Sequence, residues 1–219
     1  MTTEIELKYQ LSSNSKENKT VVDDITAMLK AQNVFFEINQ YQLANDYFDT
    51  ESLALRKMDF GLRIRTKEHQ YEQTIKTAGK VVGCLHQRPE YNVDIATKQL
   101  DLSLFDKSIW PDNTDIKALE DNLSVIFSTN FFRQTWFIHQ DESVIELALD
   151  RGEIFTKLNE PIQQINELEI ELVSGNEQAL FILAKQLSAV VTMTPGKLSK
   201  AARGYKLYYD RKNINQTRL

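Results

Sequence analysis

Glu4-Ile5-Glu6-Leu7-Lys8 alternates charge and hydrocarbon at every residue, and in an extended chain residues two apart share one face. Glu4, Glu6 and Lys8 therefore line one side of a first strand, with Ile5, Leu7 and Tyr9 on the other. The same alternation returns in Leu62-Arg63-Ile64-Arg65, from Glu72 to Lys76, in Arg88 with Glu90, and in Glu167-Leu168-Glu169-Ile170-Glu171-Leu172. Any one of these runs describes an ordinary half-solvated sheet with its polar side out. Together they say more. Carboxylates gather in the first and last of these strands and cations in the middle ones, whereas a surface built for solubility intersperses the two signs. Three glutamates along one face repel one another unless a cation sits among them, and hard divalent cations take carboxylate and water oxygens. Paired arginines present rigid forks of donors suited to anions with several oxygens. Carboxylates for a metal beside cations for an anion are what phosphoryl transfer requires.

Outward from these strands, residues 21–31 carry Val22, Ile25, Met28 and Leu29 at helical spacing. The polar stretch before them, residues 14–20, reads as a loop. Residues 34–50 suit an extended segment ending in Asn45-Asp46-Tyr47-Phe48-Asp49-Thr50. Residues 60–67 and 70–77 form a hairpin pattern, although Glu68-His69 is a poor match to the usual glycine or asparagine turn. Residues 78–83 read as a connection to an extended run over 88–95. Residues 100–125 read as irregular structure with short helices and a turn at Trp110-Pro111-Asp112-Asn113. Strands are predicted at 130–139, 143–150 and 163–172, and helices at 176–191 and 198–209, the second entered after Pro195-Gly196. The resulting expectation is an α+β chain. It is an eight-stranded antiparallel β-barrel (~8 strands) with a charged interior and helices packed outside. An open antiparallel sheet on helices satisfies the same periodicity. No repeat or linker divides the chain, so one domain is expected over 1–219, its C-terminal helices from about residue 176 packing on the barrel.

The 219 residues carry 26 Lys and Arg against 31 Asp and Glu, a net charge of −5. Proteins that coat nucleic acid are normally basic, so that class is disfavoured. No apolar stretch is long enough to span a bilayer. The alternating run follows Met1 at once, leaving no basic and apolar leader, so no secretory signal is expected. Cys84 is the single cysteine. It fits a reducing, cytoplasmic setting and a free thiol in a connection. His69, His86 and His139 show no metal-ligand spacing, and Trp110 and Trp136 read as packing residues. Gly79-Lys80-Val81-Val82-Gly83 lacks the ending of a nucleotide-binding phosphate loop.

Glu4-Ile5-Glu6-Leu7-Lys8 resembles the N-terminal ExExK signature of the CYTH superfamily, the triphosphate tunnel metalloenzymes. The resemblance continues in family order through Tyr47-Phe48-Asp49-Thr50, Gly61-Leu62-Arg63-Ile64-Arg65, Thr74-Ile75-Lys76, His86-Gln87-Arg88-Pro89-Glu90-Tyr91, Phe131-Phe132-Arg133 with Trp136, the Glu167–Leu172 run, and Leu198-Ser199-Lys200-Ala201-Ala202-Arg203-Gly204-Tyr205. ExExK alone is a short pattern; the ordered series is specific. It is most similar to the bacterial inorganic triphosphatase branch, whose members often carry a CHAD domain after the CYTH part.

The resemblance implies hydrolysis of inorganic triphosphate in a cation-lined tunnel. The divalent ion, Mg²⁺ or Mn²⁺, is held by Glu4, Glu6, Glu169 and Glu171. Phosphate falls to Lys8, Arg63, Arg65, Lys76, Arg133 and Lys200, and Lys8, Tyr47, Glu4 and Glu6 are the expected catalytic group. Tyr47 is expected near Lys8. Glu90 is expected on the tunnel wall with Arg88 as its ion partner, and Glu167 either on the metal or in a salt bridge at the tunnel mouth. By strand alternation Glu146 and Asp150 share a face, and either is a candidate to support the metal ligands from behind, with no direct metal role expected for both. No nucleic-acid or membrane partner is expected. A thiamine-triphosphatase, a class IV adenylate cyclase and a non-catalytic polyphosphate-binding module remain the competing functions.

Overall fold

The computed structural model describes residues 2–12, 18–156 and 163–217. Its elements in chain order are β1 (Thr2–Leu11), α1 (Asn18–Ala31), β2 (Phe35–Asp49), α2 (Ala54–Lys57), β3 (Gly61–Lys67), β4 (Gln70–Lys76), β5 (Lys80–Val82), β6 (Leu85–Ile95), α3 (Ile116–Asp121), β7 (Ser124–Gln140), β8 (Ser143–Phe155), β9 (Gln163–Ser174), α4 (Gln178–Leu187), β10 (Met193–Pro195) and α5 (Lys200–Thr217). Eight of these strands pair antiparallel in the order β1-β9-β8-β7-β2-β3-β4-β6, and β6 pairs back onto β1. The ring is closed, and the open-sheet alternative is excluded. β5 extends β6 as a short hairpin, and β10 pairs with Tyr9 to Leu11 of β1. Neither of these three-residue strands is expected from the sequence, because each is too short to show periodicity.

The outer wall is apolar where helices cover it. Leu7, Leu147, Leu168 and Ile170 pack with Ile25 and Leu29 of α1 and with Leu180, Leu183 and Leu187 of α4. Burying each such leucine contributes about 1.5–3 kcal/mol. α1 begins at Asn18, three residues before its first predicted position; residues 14–17 of the expected loop lie outside the described residues. The helix closes through Asn33 in the left-handed region (φ 55°). There the Asn33 amide donates to Lys30 O and the Val34 amide to Leu29 O, satisfying carbonyls that the helix leaves open. On the far side, Leu62 and Ile75 are covered by Phe60 and by Leu102, Phe105, Ile109 and Trp110 from the irregular 100–123 region. The Glu68-His69 return forms despite its composition, with Glu68 at φ 55° and Lys67 paired to Gln70. Among the described residues no helix is long and apolar enough to cross a membrane.

α5 does something different from α1 and α4. Its Tyr205 packs on Leu43, Tyr47, Phe127, Phe131, Ile154 and Ile165, and strand alternation puts these on the interior faces of β2, β7, β8 and β9. The helix therefore covers one end of the ring rather than its outer wall. Gly204 makes this possible: a Cβ there would lie 2.2 Å from Phe127 Cε2. Fully buried Asp49 ties the same end together, accepting from the amides of Thr50, Leu55 and Arg56 and from the Tyr205 hydroxyl at 2.9 Å.

Candidate active site

Register carries the alternation from strand to strand. Lys8 lies opposite Glu169 and Glu6 opposite Glu171. Glu146 lies opposite Glu171, and Asp150 opposite both Glu167 and Arg133. On the other half of the ring, Tyr47 faces Arg63, Asn45 faces Arg65, and Lys76 faces Glu90. Side chains paired in this way share the interior face, and they surround a cavity of about 550 Å³. All the expected metal and phosphate residues line it: Glu4, Glu6, Glu169 and Glu171 from β1 and β9, with Lys8, Arg63, Arg65, Lys76, Arg133 and Lys200 around them.

The three glutamates of β9 differ in how much positive charge each meets. Glu167, nearest α5, is fully buried; it pairs with Lys200 and Arg203 and accepts from Gln10. Glu169 is shared by Lys8 at 2.5 Å, Arg133 at 2.6 Å and Lys200 at 2.9 Å. Burial would raise its carboxyl, but these cations, Lys200 first, hold it well below the usual carboxylate range. Glu171, farthest from α5, has no hydrogen bond or ion pair among the described residues. Burial, then the Glu4 and Glu6 carboxylates, push it up to about 8. Glu6 is pushed up to about 7 by burial, against the pull of Lys8 at 2.6 Å. Glu4 goes the other way: burial opposes ionisation, yet Lys76, 2.6 Å from Oε1, and Lys8 hold it down to about 2. Oxygens of Asp150, Glu167 and Glu169 also lie within 4.8 Å of one another, but Lys200 Nζ sits among them, 2.6 Å from Asp150 and 2.9 Å from Glu169. Of the four expected metal ligands, Glu171 alone lacks a cation partner among the described residues; with Glu6, the other of the four whose carboxyl burial raises, it forms an all-oxygen donor pair that suits a hard divalent cation.

The opposite wall has the complementary excess. Arg65 Nε donates to Asn45 Oδ1 at 2.9 Å; Glu72 lies opposite it in the β3–β4 register, but no carboxylate reaches ion-pair distance of it among the described residues. Burial, then Arg63 and Arg133, push its guanidinium down to about 10. Arg63 reaches Glu90 at 3.4 Å and lies opposite Tyr47 in register, while its buried Nε has no hydrogen-bond partner among the described residues. Arg133 is engaged more fully, with a two-pronged contact to Asp150 at 2.6 and 2.7 Å.

Several expectations need correction. Arg88 does not pair with Glu90: it donates to the main-chain oxygens of Thr77 and Asp59 at 2.7 and 2.8 Å, and Glu90 takes Arg63 and Lys76 instead. Tyr47 stands beside Arg63 rather than Lys8, because β2 is four strands from β1 in either direction round the ring. Its ring stacks on Phe127 at 4.5 Å. Glu167 reaches no mouth; its salt bridges are buried. His86 lines the cavity, with Nε2 3.2 Å from Gly196 O. Its parity with Arg88 and Glu90 carried that signal, as the parity of Glu146 with Asp150 did for a carboxylate that also lines the cavity. Arg203 and Asn45 are functional neighbours that the sequence reading missed. Arg203 was legible as the residue one helical turn beyond Lys200; Asn45 had no charge to mark it.

A family model described as the CYTH domain matches residues 2–205. An inorganic triphosphatase of Haemophilus influenzae is 36% identical over 207 residues, covering 94% of this chain and 55% of that protein. The chain thus spans about half the length of that relative. Among solved structures, the Hippeastrum protein HpAC1, described as having a dominant triphosphatase activity, superposes with a TM-score of 0.66 at 18% identity, covering 93% of this chain and 95% of that one. The PH1819 protein of Pyrococcus horikoshii OT3 follows at 0.54 and 17%, covering 93% and 98%. Both likenesses concern the fold. With the closed ring, its charged interior and a family match over nearly all its length, the chain belongs to the CYTH domain family.

Proposed function

We propose that this chain, acting as one tunnel unit, hydrolyses inorganic triphosphate to pyrophosphate and phosphate, the substrate named for its Haemophilus relative. One observation carries the reading. Among the described residues, one cavity holds an arginine with no salt bridge, Arg65, and a glutamate with none, Glu171. A polyanion that arrives with a divalent cation satisfies both at once, whereas a simple anion binder gains nothing from the glutamates.

In this reading Arg63, Arg65 and Arg133 neutralise the phosphate chain from one side, and Lys8, Lys76 and Lys200 from the other. Their spread over five elements holds the chain in one register. Glu4, Glu6, Glu169 and Glu171 are the residues that would hold Mg²⁺ or Mn²⁺; when bound, the ion supplies Lewis-acid neutralisation of phosphate oxygens. Tyr47 orients the Arg63 fork by its hydroxyl. A water directed by the carboxylate wall attacks the terminal phosphorus in line, and pyrophosphate departs against the arginines, whose charge is already in place. The lone Cys84 thiol suits a reducing cytoplasm.

The test is a phosphate-release panel with inorganic triphosphate, ATP, thiamine triphosphate and pyrophosphate, each with Mg²⁺ or Mn²⁺. Triphosphate is expected to lead. Release from ATP or thiamine triphosphate in first place would move the chain to an organic substrate, and binding without release would make it a polyphosphate-binding module.

A further inference from the structure

Glu167 shares a strand face with Glu169 and Glu171, yet it has no exposed surface and lies outside the cavity lining. Both its oxygens are engaged by α5. Oε1 meets Lys200 Nζ, while Oε2 lies 2.5 Å from Arg203 Nη2 and accepts from Gln10 Nε2 at 2.8 Å. Lys200 and Arg203 are three residues apart and so project from one face of the helix. A single carboxylate thereby holds two cations of the element that covers the end of the ring.

The arrangement answers a problem set by the helix itself. Lys200 is the first residue of α5, where Ser199 Oγ accepts from the Ala202 amide at 3.1 Å. Unsatisfied amides make a helix start electropositive, so an ammonium is disfavoured there. A lysine stem is also long and flexible. Lys200 nevertheless points into the cavity, buried to 7% exposure. Carboxylates are what keep it there, and of the three it touches, Glu167 alone also grips the next turn of the helix.

We infer that Glu167 is a positioning residue for substrate rather than a metal ligand: it fixes the depth at which Lys200 enters the tunnel, with Arg203 as the second anchor of the same carboxylate. This deepens the triphosphatase reading and rests on its assignment of Lys200 to phosphate.

The test uses the sign of an electrostatic effect. Removing a negative charge near an anion site should, through space alone, tighten anion binding. A positioning role requires the opposite. Calorimetry with inorganic triphosphate in chelator, without metal, is expected to show Glu167→Gln weakening binding roughly tenfold. The same substitution should have no further effect in a Lys200→Ala background, and the Mg²⁺ concentration for half-maximal hydrolysis should stay where it is. Tighter binding, an equal loss in the Lys200→Ala background, or a raised Mg²⁺ requirement would each overturn the inference. Should Glu167→Gln leave Arg203 too poorly compensated to fold, Glu167→Gln with Arg203→Met removes that burden and is read the same way. Lys200→Ala alone leaving triphosphate affinity untouched would refute the phosphate assignment of Lys200 itself, and the inference with it.

Discussion

Glu6 and Glu171 stand directly opposite one another across the β1–β9 pairing, on the interior face. Burial raises both carboxyls, Glu6 to about 7 and Glu171 to about 8, from an ordinary value of 4.5. Both groups therefore bind protons in the folded state at pH values where the unfolded chain has lost them, and stability falls as pH rises through the folded values. The metal-free protein is expected to have its highest Tm near pH 5 and to lose a few kcal/mol of stability by pH 8.5, since each tenfold gain in proton affinity on folding is worth about 1.4 kcal/mol. Glu4, held down to about 2, acts in the other direction: its contribution is complete above 4.5 and lost as pH falls toward 2. Excess Mg²⁺ should flatten the alkaline decline. Thermal unfolding across this range, with chelator and with Mg²⁺, checks the assignment; a metal-free Tm rising from pH 6 to 8.5 would contradict it.

Arg63→Ala and Glu171→Gln should separate the two halves of the site. Loss of the guanidinium is expected to raise KM for triphosphate by at least tenfold, the scale of a hydrogen bond to a charged group, with the Mg²⁺ requirement unchanged. Loss of the carboxylate should raise the Mg²⁺ requirement and lower kcat. Steady-state titrations of substrate and metal on both variants distinguish these outcomes. Equal shifts in metal requirement from both would show that the division of roles is wrong.

Gly204→Ala should cost stability even though alanine is the better helix former by about 1 kcal/mol. The added methyl meets the Phe127 ring at 2.2 Å, an overpacking of the kind that costs about 1–3 kcal/mol. Phe127 stacks on Tyr47 with an interplanar angle of 18°, and Tyr47 lies directly opposite Arg63 in the β2–β3 register, so the displacement reaches the site. Urea unfolding should show a lower midpoint, and kcat/KM should fall with it. A destabilised variant with unaltered kcat/KM would break that link between α5 and Arg63.

Substrate length should matter because the cations come from five different elements. Inorganic triphosphate reaches them while presenting oxygens to the carboxylate wall; pyrophosphate, one phosphate shorter, leaves part of the set unmatched in the transition state as well as on binding. At saturating Mg²⁺, kcat/KM is expected to be highest for triphosphate, lower for ATP and lowest for pyrophosphate. ATP matching triphosphate would point to a nucleoside site on the tunnel wall.

The strand faces were legible because alternation survives translation into three dimensions: once Glu4, Arg63 and Glu169 are assigned to one side, the interior follows. Closure was not. It depends on β1 pairing with both β6 and β9, and no local pattern in residues 2–11 names either partner. Arg88 and Tyr47 were misplaced for a related reason. Neighbours in sequence or motif suggest neighbours in space, but position round the ring decides contact. The role of α5 was hidden because its apolar partners, Leu43, Phe131 and Ile154, look like any strand residues until register turns them inward. Asp49 was unreadable as the hub it is, since its partners are main-chain amides that no side chain announces.

The pairing of Lys8 with Glu169 joins residues 161 positions apart, and it lies within the seam that closes the ring. A chain emerging from the ribosome must therefore hold its first strand, apolar on one side and charged on the other, without its β9 partner until β9 has been made. Contacts of such long range form late and slowly, and an unpaired strand edge in the interval is open to pairing with other chains. Fast refolding at high concentration is thus the condition under which this protein should aggregate, and dilution or a holding chaperone the condition that spares it.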